Sequence, residues 1–204
     1  IRHPVTWFPN PEISNTAAHK AAGQLASPAF RAGAKVLSDM GMSFDAWLYF
    51  PQLAELAAFA KALPDLTIIL NHIGGVLRTG PYANKDEEVL RIWEHGISQV
   101  AECPNVVVKL GGITQPRTGY DWHLRKLPIG SEELSQVMAP LMDYCIEKFG
   151  PDRCMFESNF PPDKVGCSYN IMFNSFKRLS SGYSNSERTS MFHDTATRIY
   201  KIEE

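Results

Sequence analysis

The chain of 204 residues is 44% apolar and sets 20 basic against 22 acidic residues, a formal net charge of −2. That composition reads as a soluble globular protein with one sizeable core, a single domain over residues 1–204. It gives no broad electrostatic footprint for nucleic acid or an anionic membrane, and leaves only a local basic patch around Arg117, Arg125 and Lys126.

The first residues, Ile1-Arg2-His3-Pro4, carry neither an initiating methionine nor the basic and apolar regions of a signal peptide, so the start reads as internal and Arg2-His3 as the end of a truncated strand. From Phe44 onward, short β-prone runs alternate with stretches of helical period, the pattern of βα units and a parallel sheet. Phe44 to Phe50 reads as a strand, and Pro51 opens a helix through Leu53, Leu56, Ala60 and Leu63 that Pro64 closes. Leu66 to Leu70 is a second strand, apolar enough for burial on both faces, with His72 just past its carboxyl end. Asp86 to Glu102 has helical spacing and an acidic first turn, and Asn105 to Gly112 repeats the design of apolar strand, polar residue and glycine pair. Thr114 to Gly130 is a long loop, read as a lid or a tolerated surface insertion. Ser131 starts a helix that Gly150 and Pro151 end, Cys154 to Pro162 is a last strand with a rigid exit, and helices over Tyr169 to Leu179 and Ser186 to Ile202 complete the chain.

No apolar run approaches the roughly 20 residues that span a bilayer. The cysteines Cys103, Cys145, Cys154 and Cys167 lack the close paired spacing of a zinc site and read as free thiols of a cytoplasmic protein.

Ligands of parallel α/β folds bind beyond the carboxyl ends of the strands. That rule selects Trp47, Tyr49, Asn71, His72, Lys109, Glu157, Asn159 and Asp163. Together they offer a group that titrates near neutrality or ligates a metal, carboxylates that accept a proton, and a lysine that polarises a carbonyl or binds an anion. Each also has a plainer role. His72 can simply bond a neighbouring carbonyl, Lys109 can reach to solvent, Glu157 can be half of a structural ion pair, the glycine pairs can be tight turns, and Trp47 and Tyr49 can be core. His19, His95 and His193 read as structural. Arg2 is suited to a substrate carboxylate, His3 stands beside it, and His123 contributes only if its loop closes over the site.

Ile68 to Gly75, Val106 to Gly112 and Met155 to Asp163 resemble three successive strand ends of the amidohydrolase-related family of TIM-barrel hydrolases, and Arg2-His3 resembles another of its strands. The resemblance covers almost the whole chain. It implies an α/β fold, a (β/α)8 barrel present here without its amino-terminal strands. It makes His72 the strand-five histidine, a metal ligand in metal-dependent members and a substrate-polarising group in metal-free ones. The family's first strand bears a His-x-His pair that this sequence lacks, and Asn159 stands where the family has the aspartate that accepts the proton of the nucleophilic water. An amide cannot be that base and is a poor ligand for a hard or borderline cation, so Asn159 argues against the zinc or manganese that metal-dependent members imply. No organic cofactor is implied. Asp163 or Glu157 would take over proton transfer, and the sequence leaves both open.

The first reading is therefore a hydrolase that opens a lactone or related ester-like carbonyl in a small anionic or sugar-derived substrate. In it His72 polarises the carbonyl, Lys109 or Arg2 binds the anionic group, His3, Tyr49 and His123 line the substrate, and Asp163 or Glu157 activates water that Asn159 helps to hold. A second reading is a metal-dependent decarboxylase of an aromatic acid, against which Asn159 counts. A third is a non-catalytic barrel fragment whose unpaired strand edges lead to aggregation or a homo-oligomer.

Overall fold

Five short runs, all but the first predominantly apolar, pair as one parallel sheet: β1 (Arg2–Pro4), β2 (Phe44–Trp47), β3 (Ile68–Leu70), β4 (Val106–Leu110) and β5 (Cys154–Phe156), in the order β1-β2-β3-β4-β5. The computed structural model describes residues 1–14 and 21–203, and His19 lies outside them. Strands adjacent in sequence are adjacent in space. The chain returns between and after them through α1 (Pro28–Asp39), α2 (Leu53–Ala62), the single turn α3 (His72–Gly75), α4 (Asp86–Ala101), α5 (Ser131–Phe149) and α6 (Tyr169–Leu179). This is the repeated βα unit expected of near-continuous apolar strands, because a parallel sheet must be covered on both faces.

Alternation along the strands separates those faces. Phe44, Ala46, Ile68, Leu70, Val106 and Val108 join the main core, which includes Phe59 of α2, Trp93 of α4 and Leu141 of α5. Ile69, Val107 and Met155 point the other way and form a separate small cluster. In a closed barrel that inner face is filled by side chains from the remaining strands. Here the last segment of the chain covers it: Ala196 and Ile199 pack on the cluster, and the Tyr200 hydroxyl donates to Asp45 Oδ1 at 2.9 Å.

Four elements depart from expectation, the first being β5, which ends at Phe156 rather than running on to Pro162. β2 stops at Trp47 because the Tyr49 amide donates to the Gln52 side-chain oxygen at 3.3 Å, and Phe50–Gln52 form a 3-10 turn leading into α2. Gln52 is buried and also accepts from the Trp7 amide and donates to the Val5 carbonyl, so it binds this corner to the residues after β1. α1 has no counterpart among the elements read from the sequence, although Phe30, Ala34 and Leu37 stand at helical spacing and turn one face to the main core. The final helix is broken into α7 (Asn185–Thr189), a π turn at Ser190–Asp194 and α8 (Thr195–Tyr200). The widened turn changes the helical register. Met191 thereby stays in the main core while Ala196 and Ile199 reach the inner cluster.

No helix among the described residues is long and apolar enough to cross a membrane. All four cysteines are buried free thiols.

Candidate active site

The carboxyl ends of β3, β4 and β5 converge on His72. Four successive residues of α3 have left-handed backbone, with φ of 55° at His72, 47° at Ile73, 76° at Gly74 and 57° at Gly75. For the two residues with a Cβ this costs about 1–2 kcal/mol each, and the surroundings hold the turn against it. The buried Trp93 indole donates to the Ile73 carbonyl at 2.7 Å, the Gly74 amide donates to the Asn71 carbonyl at 3.0 Å, and the His72 amide donates to Glu157 Oε1 at 3.0 Å. The two glycine pairs serve this packing. A Cβ on Gly75 would overlap the Leu48 carbonyl, and one on Gly112 would lie 2.5 Å from His72 Cβ and Cγ. Backbone and ring approach one another through glycine, which is the close contact that the glycine pairs signal in the sequence.

His72 is almost completely buried, and both ring nitrogens are engaged. Nδ1 bonds Glu157 Oε1, and Nε2 lies 3.1 Å from Arg2 Nη2. A guanidinium has donors and no acceptor, so Nε2 accepts and Nδ1 carries the proton toward Glu157, an assignment made from the network. The result is a carboxylate–imidazole pair with its basic nitrogen turned to an exposed cation. Trp47 meets the ring edge-on, with centroids 4.7 Å apart, and fixes its tilt.

Asp163 lies beyond β5, fully buried in the 3-10 turn at Pro162–Val165. Its Oδ1 accepts from Gln115 Nε2 at 2.8 Å and Asn159 Nδ2 at 2.7 Å, and its Oδ2 accepts from the Thr114 amide at 3.3 Å. The carboxylate is thus committed to three donors, and it secures Asn159, which has a left-handed φ of 49°, to the loop after β4. Burial raises the Asp163 pKa, with the Gln115, Asn159 and Thr114 hydrogen bonds and then His72 opposing the rise. The folded state therefore holds this proton more tightly than the unfolded chain. The stability it contributes is fully present below the ordinary value of 3.8 and is lost as pH rises through the raised value. Urea melts across that range should show wild type losing stability relative to Asp163→Asn as pH rises. A difference independent of pH would contradict the assignment.

The other expected residues divide. Arg2 and Glu157 join His72, whereas His3, one residue from Arg2 on the strand, points to the opposite face, where its Nε2 meets Gln24 Nε2 at 3.2 Å and its ring faces Phe30. Lys109 is ion-paired with Asp45 at 2.7 Å and lies 5.3 Å from the Tyr200 ring centroid. Tyr49 is buried and donates to the Ser14 carbonyl; burial pushes its phenol pKa up. His123 is exposed on the 3-10 turn Trp122–Leu124 and lines a surface cleft with Ile129, Lys164 and Cys167. His95 is exposed on α4, and His193 bonds Asp194.

Arg117 is a member of this neighbourhood that the motifs did not single out. The loop after β4 brings its guanidinium to 4.7 Å from the Trp47 ring centroid. In the sequence it stands out only as part of the local basic patch with Arg125 and Lys126. Asn71, immediately before His72, is fully buried with neither side-chain polar atom partnered among the described residues. Among those residues no group of three or more His, Cys, Asp or Glu is arranged to hold a metal ion.

The amidohydrolase family model matches residues 15–202. The protein y4mH of Sinorhizobium fredii (strain NBRC 101917 / NGR234) is 34% identical over 197 residues, 97% of this chain and 56% of its own length. The L-fucono-1,5-lactonase of Burkholderia multivorans (strain ATCC 17616 / 249) is 26% identical over 162 residues, 79% of this chain and 52% of the lactonase. A solved amidohydrolase structure from Burkholderia multivorans, with bound zinc, superposes with a TM-score of 0.75 at 25% identity, covering 88% of this chain and 59% of that one. The chain spans about half the length of the curated relatives it matches. Its five parallel strands are part of the (β/α)8 barrel expected from the sequence. Fold, strand ends and the match over residues 15–202 agree that the chain belongs to the amidohydrolase family.

Proposed function

We propose that the chain carries part of a hydrolase site that opens a lactone or a related ester-like carbonyl in a small, anionic or sugar-derived substrate. The observation that supports this reading is the linked set Arg2, His72 and Glu157, which presents a basic ring nitrogen beside a guanidinium. Arg2 is exposed, and in this reading its guanidinium moves from Nε2 to a substrate oxygen. A water against Nε2 then loses its proton to His72 as its oxygen attacks the carbonyl carbon, while the guanidinium stabilises the oxyanion. Collapse of the tetrahedral intermediate breaks the ring C–O bond. The imidazolium returns the proton to the departing alkoxide, and the product is a hydroxy acid. Glu157 keeps the proton on Nδ1 and stabilises the imidazolium between the two transfers. Asp163, committed to Gln115, Asn159 and Thr114, positions the loop rather than touching water.

The lactonase relative supports the lactone as substrate class. The zinc of the structural neighbour raises the question of a metal, and the donors at this site do not fit one by themselves. His72 Nε2 faces a cation, Nδ1 is held by Glu157, and Asn159 supplies an amide where a carboxylate would bind better.

The test is proton release by the intact protein from sugar lactones and from carboxylate-bearing lactones, with and without chelator. Saturable hydrolysis of one group is expected. A folded protein that opens none of them would refute the reading.

A further inference from the structure

Arg117 sits on the 3-10 turn Pro116–Thr118, and that turn is rigidly held. Its carbonyl accepts from the Arg78 amide at 2.9 Å, and the Thr118 hydroxyl donates back to the Ile113 and Gln115 carbonyls. The guanidinium rests on Trp47, whose ring edge meets His72, so two successive contacts of 4.7 Å join Arg117 to the candidate base. Among the described residues this guanidinium forms no ion pair and donates no hydrogen bond, although it is half-buried. A partly desolvated cation with its donors unspent gains most from an anion that fits its fork. Its neighbours do not fill that role. Burial lowers the Arg117 pKa, Tyr49 and Asp163 raise it and Arg2 lowers it again. Tyr49 is spent on Ser14 and Asp163 on its three donors, which leaves two guanidinium groups, Arg117 and Arg2, close to Trp47 and His72.

We propose that Arg117 is the anchor for a substrate carboxylate and the residue that sets specificity at this site. The ligand is a small ring bearing a carboxylate, with that group in the fork of Arg117 and the ring beside His72. Placing a reacting carbonyl at His72 rests on the hydrolase reading; the capture of the carboxylate does not.

Titration calorimetry of the intact protein with furoate and with its neutral methyl ester separates the two. Wild type is expected to bind the acid about tenfold or more tightly than the ester, as a charge-assisted fork allows. Added salt is expected to weaken the acid alone. Arg117→Met is expected to remove most of that preference, and Arg117→Lys to keep part of it, since lysine retains the charge without the fork. Furoate affinity in Arg117→Met equal to wild type would overturn the proposal, as would a wild type indifferent to the acid. Parallel loss of acid and ester binding with a lowered melting temperature would also overturn it, by assigning Arg117 a structural role. Arg117-dependent furoate binding in a protein that opens no lactone would refute the hydrolase reading and leave the anchor standing.

Discussion

Replacing His72 by asparagine is expected to lower kcat on a lactone substrate by about 10²- to 10⁴-fold, the contribution of a positioned general base. Asparagine is the informative choice because position 72 is left-handed, with φ of 55°, and asparagine tolerates that backbone better than alanine does. The melting temperature should fall modestly, because the buried ring's contacts with Trp47 and Glu157 are lost, while the variant stays folded and turnover collapses. Glu157→Gln is a subtler companion. The amide can still accept from Nδ1–H through its oxygen, but it can also rotate and donate, which favours the tautomer with the proton on Nε2. That proton would face the Arg2 guanidinium and remove the lone pair on which the mechanism depends. A fall in kcat of about 10²-fold or more, with a smaller change in KM, is the expected signature. Steady-state kinetics on the best lactone, with thermal melts of each variant, provide the measurement. Full turnover by folded His72→Asn would eliminate His72 as the base, and an unchanged kcat in Glu157→Gln would eliminate the carboxylate as its partner.

Why His72 was legible and its surroundings were not has a physical explanation. Strand ends announce themselves locally: Ile68 to Leu70 and Val106 to Val108 are apolar because both faces of a parallel strand are buried, and Gly150-Pro151 ends α5 within its own few residues. Polar residues that follow such runs are therefore easy to find. Their partners are not, because partners are set by the fold across long sequence distances. His72 meets Glu157 from 85 residues away and Lys109 meets Asp45 from 64. The same limit explains Arg2 and His3. Alternation says that they face opposite ways, but only the neighbouring strands decide that Arg2 has the site and His3 has Gln24 and Phe30. Arg117 lies on an irregular loop, where periodicity carries no information. The break in the last helix escaped notice because its apolar spacing is continuous, while the π turn answers to two different surfaces, the main core and the inner cluster.

Lys109→Met is expected to destabilise the protein by about 3–5 kcal/mol, since it leaves Asp45 buried without its counter-charge. The Asp45 and Lys109 side chains are only 9% and 14% exposed, and they meet at 2.7 Å on the inner face of the sheet. Tyr200 completes the set. Burial and the adjacent Asp45 carboxylate hold its phenol pKa well up, so the hydroxyl stays protonated and donates to Asp45. One ion pair thus joins β2 to β4 and, through Tyr200, pins α8 against the cluster of Ile69, Val107 and Met155. At about 2–4 °C per kcal/mol for a chain of this size, the loss is large enough to read from a thermal melt. Faster hydrogen exchange at Thr195–Tyr200 should accompany it, because the Lys109 ammonium lies 5.3 Å from the Tyr200 ring centroid and that contact with α8 is lost. The double variant Asp45→Leu/Lys109→Met should recover much of the loss by removing the stranded charge. Were Lys109 instead a substrate anchor, the single variant would raise KM and leave the melt where it was.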